Sequence, residues 1–61
     1  MKIKEHDCVL LKDGRAGAIV GVYPNDIYLV DIDYPYEQLS EIEDPTEFIS
    51  AADIQKITYI S

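Results

Sequence analysis

The sequence predicts a mainly β fold: a small, strongly bent five-stranded barrel with a one-turn helix before its last strand. Three observations carry that expectation. Apolar residues alternate with others over 7–12, 18–23 and 27–34, the period of two that sets one face of a strand on a core. Turn chemistry separates the runs, with Asp13-Gly14 after the first and Pro24-Asn25-Asp26 after the second. The chain has 61 residues, room for a single domain over 1–61 with a thin core.

Each element has its own reason. Asp7 to Lys12 is the first strand, with Val9 and Leu11 on one face and Cys8 and Leu10 on the other. Ala18 to Tyr23 and Ile27 to Tyr34 form a hairpin, closed where Pro24 removes a ladder donor and Asn25 and Asp26 suit the turn. Facing Val22 with Tyr28, Val20 with Val30 and Ala18 with Ile32 makes one face wholly apolar. The other face then receives Gly21 with Leu29, and Ile19 with Asp31. Residues 35–47 hold two prolines, Glu37, Glu41, Glu43, Asp44 and Glu47, and only Leu39 and Ile42 as aliphatics, so an acidic loop with one helical turn at 37–42 is expected. Phe48-Ile49 is a short fourth strand. Ser50 with Asp53 three residues on has the outline of a capping box, which places a helical turn there. Lys56 to Ile60 is the last strand. The expected core is Val9, Leu11, Ala18, Val20, Val22, Tyr28, Val30, Ile32, Ile49, Ile54 and Ile57. Strands in this order, with the helical turn so placed, describe an SH3-like barrel.

Charge narrows the function. Twelve acids against five bases give a net charge of -7. No Lys or Arg occurs between Ala16 and Gln55, where Asp26, Asp31, Asp33, Asp53 and the loop acids lie. Nucleic-acid affinity comes largely from Lys and Arg on phosphates, so that class of partner is disfavoured. Gly14 and Gly17, three apart, with Val20 resemble the KOW motif of transcription and ribosomal factors, and Lys12 and Arg15 are the one basic patch that would serve such an accessory role on nucleic acid. No apolar run approaches the ~20 residues of a membrane span, and Met1 to Asp7 has a basic start without the apolar stretch of a signal peptide. The lone Cys8 forms no internal disulfide, which fits a reducing cytoplasm.

Chemistry-bearing constellations are few. His6 and Cys8 are two potential ligands where a structural zinc site wants four. Glu41, Glu43 and Asp44, with Asp31 and Asp33, lack the spacing of a calcium loop. Ser40, Ser50 and Ser61 have no arrangement with the single His. No catalysis, metal or cofactor is expected. Tyr34-Pro35-Tyr36-Glu37, following Asp31 and Asp33, is the more informative stretch. Tyr rings attract Lys or Arg and the carboxylates complete the field, so Asp31, Asp33, Tyr34, Tyr36 and Glu37 are the candidate surface for a basic protein. A second candidate is the outer apolar face, Leu10, Ile19, Tyr23, Ile27 and Leu29, an interface for a partner or for a second copy in a homo-oligomer.

The stretches "HDCVLLKDGRAGAIVGVY", "IYLVDI" and "EFISAADIQKI" resemble a family of small bacterial SH3-like (KOW-like) barrels, a domain of unknown function. The matching positions are Gly17, Val20, Val22 and Tyr23, then Tyr28, Val30 and Ile32, then Ile49, Ser50, Asp53 and Ile54. The resemblance implies a cytoplasmic binding module, an immunity- or antitoxin-like partner of another protein or a passenger on a mobile gene cassette. It carries over no catalytic residue, and the acidic loop departs from the family's compact form.

Overall fold

A computed structural model describes residues 2–60. Its turns follow from residue chemistry. Gly14 sits at φ 97°, where a side chain would be strained, and its N–H donates to the Leu11 carbonyl. Asn25 and Asp26, which tolerate the left-handed region, take φ 65° and 58° in the hairpin turn. Around these turns run five strands, β1 (Cys8–Leu11), β2 (Ala16–Tyr23), β3 (Ile27–Ile32), β4 (Thr46–Ser50) and β5 (Ile54–Tyr59). All pair antiparallel in one sheet of order β4-β3-β2-β1-β5, so the mainly β class holds. The helical turn before the last strand is a 3-10 turn at Ala51–Asp53, where Ser50 Oγ accepts from the Ala52 N–H at 3.3 Å. In the acidic loop the turn of helix is α1 (Tyr36–Leu39), slightly earlier than expected. β4 and β5 are the sheet's edges; among the described residues no ladder joins them into a closed barrel.

The core comprises Ile3, Val9, Leu11, Ile19, Tyr28, Val30, Ile32, Ile49 and Ile54, with Tyr34, Ala51 and Ile57 packed against it. Three residues of the expected core leave it, and Ile19 and Ile3 join it. Ala18 is only half-buried, while Val20 and Val22 are 41% and 52% exposed. Ile19, expected on the outer face, is fully buried. The cause lies in the register. The hairpin begins as anticipated, Tyr23 opposite Ile27, Val22 opposite Tyr28 and Gly21 opposite Leu29. A β-bulge then leaves Val20 without a partner, and the ladder resumes with Ile19 opposite Val30, Ala18 opposite Asp31 and Gly17 opposite Ile32. One extra residue in a period-two pattern moves every later side chain to the other face.

Two details hold the shifted strand. A Cβ on Gly17 would lie 2.5 Å from the Asp31 carbonyl oxygen and 2.7 Å from Val30 Cγ1, so β2 approaches β3 there as only glycine allows. On the other side, His6 N–H donates to the Ile19 carbonyl and Ile19 N–H to the Asp7 carbonyl, both at 2.8 Å. That contact depends on a turn over residues 4–7 in which His6 takes φ 75°. Asp7 is the one buried charged residue among those described; its carboxylate accepts from the Lys4 N–H at 3.1 Å and from Lys4 Nζ at 3.0 Å. The turn folds Ile3 back into the core.

Candidate partner-binding site

The register that buries Ile19 also decides the outer face. Cys8 stands opposite Ala18, Ala18 opposite Asp31, and Leu10 opposite Ala16. Cys8 of β1 and Ala16 and Ala18 of β2 are small and leave the sheet surface low there, and Asp31 stands at one side. Beyond β3 the chain is tied back where the Asp33 N–H donates to the Ala16 carbonyl at 2.8 Å, which sets Asp33 and Tyr34 at the same rim. Leu39 and Pro45 of the acidic loop and Thr58 of β5 complete an open groove of ≈ 470 Å³.

Asp31 and Asp33 are exposed, and among the described residues no cation lies within ion-pair reach of either carboxylate. Tyr34 is half-buried, with one side against the core. Three of the five residues expected to form the acidic, aromatic surface thus meet at one groove. Tyr36 and Glu37 do not line it: they stand exposed on α1, Tyr36 at 88%.

The basic patch is arranged differently. Arg15 Nη1 donates to Glu47 Oε2 at 2.6 Å and its Nε to Asp13 Oδ2 at 2.7 Å. The Glu47 carboxylate, then Asp13, holds the guanidinium's proton more tightly than usual. Arg15 joins the β1–β2 loop to β4, leaving Lys12 as the exposed cation of the pair.

Of the outer apolar face, Leu10, Ile27 and Leu29 are half-buried and Tyr23 is exposed, whereas Ile19 belongs to the core. The patch gains a residue that the sequence reading missed. Phe48 lies opposite Leu29, is 64% exposed, and meets the Tyr23 ring edge-to-face at 5.4 Å and 71°. The available signal was Ile49: if it faces the core, its neighbour Phe48 must face out.

His6 is exposed, and no group of three or more His, Cys, Asp or Glu side chains converges as metal ligands would among the described residues. No helix among them is long and apolar enough to cross a membrane. Fold and groove together define a small mainly β protein with an open groove on its outer face and two exposed carboxylates, Asp31 and Asp33, among the residues that line it. No protein-family model, curated protein or solved structure matches the chain. The resemblance to small bacterial SH3-like barrels accordingly rests on the residues quoted for it.

Proposed function

We propose that the chain is a non-catalytic protein-binding module that receives a basic segment of its partner in the groove of Asp31, Asp33 and Tyr34. The observation that supports this reading is a pair of exposed carboxylates, without an ion-pair partner among the described residues, beside a half-buried tyrosine and above a floor of small side chains. A Lys or Arg stem would lie over Cys8, Ala16 and Ala18, with its charged head between the two carboxylates and the ring. The remaining acids, Glu37 on α1 among them, would raise the encounter rate through the long-range field. An immunity- or antitoxin-like role in a bacterial cytoplasm, as the resemblance implies, is one form of this activity. The alternative role on nucleic acid, through Lys12 and Arg15, is weakened by the two carboxylates that already neutralise Arg15.

Titration calorimetry with an Arg/Lys-rich peptide tests the reading. Reversing both groove charges (Asp31→Lys with Asp33→Lys) is expected to weaken binding at least about tenfold, a loss of ~1.4 kcal/mol. The same charge change at Glu41 and Glu43, outside the groove, should cost far less. Equal losses from both pairs would reduce the effect to net charge and sink the groove assignment.

A further inference from the structure

The β3–β4 ladder determines which backbone groups β4 presents to solvent. In an antiparallel pair, opposed residues alternate between pairs that exchange both hydrogen bonds and pairs that exchange none. At the two ends of this ladder the Ile32 N–H donates to the Pro45 carbonyl at 3.0 Å and the Ala51 N–H to the Asp26 carbonyl at 2.9 Å. Bonded pairs therefore fall at Val30–Glu47 and Tyr28–Ile49, and open pairs at Asp31–Thr46, Leu29–Phe48 and Ile27–Ser50. The N–H and C=O of Thr46, Phe48 and Ser50 point away from β3. The Thr46 N–H is taken by Asp44 Oδ1 at 3.0 Å, and Ser50 opens the 3-10 turn. Phe48 remains in the middle of the edge with an outward donor and acceptor. Beside that edge lies an open groove of ≈ 520 Å³ bordered by Leu11, Arg15, Glu47 and Ile49.

We propose that a second copy of this chain occupies this edge, β4 pairing with β4 antiparallel across a twofold axis at Phe48 and joining the two sheets into one. A strand whose central residue offers both a donor and an acceptor is its own complement, because each Phe48 then exchanges both bonds with the partner's Phe48. Charge fits the same register. Glu47 comes opposite the partner's Ile49 and Thr46 opposite the partner's Ser50, so no acid directly faces an acid, and Arg15 already neutralises Glu47 in each copy. The outer face beside the middle of the seam carries Tyr23, Ile27, Leu29 and Phe48, with the exposed Asp31 opposite Thr46 at its end. Pairing sets two Phe48–Tyr23 ring contacts side by side on that face. The contact is small, so the dimer belongs to the transient class.

Salt separates this association from capture of a basic partner. Each copy carries -7, so self-pairing should strengthen as salt screens repulsion, while binding of a basic peptide weakens. In sedimentation experiments on the full chain, the mass should rise from 6.9 kDa toward twice that value with concentration. The midpoint should move several-fold lower in protein between about 0.05 M and about 0.5 M salt. Phe48→Lys places each new charge against its own copy and should abolish the dimer while the exposed position leaves the melting temperature nearly unchanged. On oxidation in a Cys8→Ser background, Phe48→Cys should link to itself, since a bonded pair spans about 5.5 Å between Cα atoms. Thr46→Cys should not. A strict monomer at about 1 mM protein in high salt, or equal linking at positions 46 and 48, overturns the proposal.

Discussion

The two halves of the β2–β3 hairpin are built from the same kinds of residue and have opposite fates. In the base half, Gly17 to Ile19 opposite Val30 to Ile32, alternation works as a strand pattern should: Ile19, Val30 and Ile32 are buried and Ala18 and Asp31 face out. In the tip half, Gly21 to Tyr23 opposite Ile27 to Leu29, Tyr28 is buried, yet its cross-strand neighbour Val22 is more than half exposed. The tip reaches past the end of the core. A chain of this size covers only part of the surface that a long hairpin offers, and the bulge at Val20 marks the change between the halves.

The comparison can be broken most directly at two β-branched positions, one in each half. Ile19→Ala should cost roughly 2–5 kcal/mol in urea denaturation, against less than about 1 kcal/mol for Val22→Ala. A larger loss at Val22 would reverse the assignment of faces. Next comes the pair of glycines. Gly17→Ala drives a methyl into the β3 backbone and should cost about 1–3 kcal/mol. Gly21→Ala meets only the Tyr23 ring, at 2.9 Å, which can swing aside, so its cost should be smaller. Deletion of Val20 sharpens the comparison further. It leaves Gly21–Leu29 and Ile19–Val30 as successive pairs of a regular ladder, so the variant should fold with a loss of only about 1–2 kcal/mol. Unfolding of that variant would show that the bend itself is required.

Acid gives the smallest effect, and outside the hairpin. Hydrogen bonds from the Arg15 N–H to Asp13 and from the Thr46 N–H to Asp44 hold both carboxyls below their ordinary 3.8. A folded-state value lowered in this way favours the native loop above about pH 3.8 and loses that contribution as pH falls through the lowered value. Carboxyl shifts followed by NMR should give midpoints below 3.8 for both residues, with the Ile19 and Val22 methyl signals unmoved over that transition.

What was legible in the sequence was local. Gly14, Asn25 and Asp26 announce their turns because their conformational freedom belongs to the residue itself, and five strands follow from the turns. The bulge was not legible: in Ala18-Ile19-Val20-Gly21-Val22 both parities are apolar, so the alternation accepts either face and only packing against β3 chooses. The same shift removed Ile19 from the outer face. Asp31, Asp33 and Tyr34 could be grouped because they are near neighbours along one strand and its exit. Tyr36 and Glu37 lie as close in sequence, but α1 turns them away. Phe48 was missed because the parity of β4 depends on a partner strand distant in sequence, and Asp7 because its burial needs the left-handed His6.

The sheet order has a consequence for how the chain reaches this state. β2, β3 and β4 pair with neighbours in sequence, apart from the acidic loop between the last two. β5 instead joins β1, bringing Cys8 opposite Tyr59 across nearly the whole chain, with two register irregularities on the way. Pairing so distant in sequence must overcome the greatest loss of chain entropy before any contact rewards it. The β2–β3 hairpin is therefore the natural nucleus, and β5 with the 3-10 turn at Ala51–Asp53 docks after the folding barrier. Substitutions in that turn should alter how fast the chain unfolds more than how fast it folds.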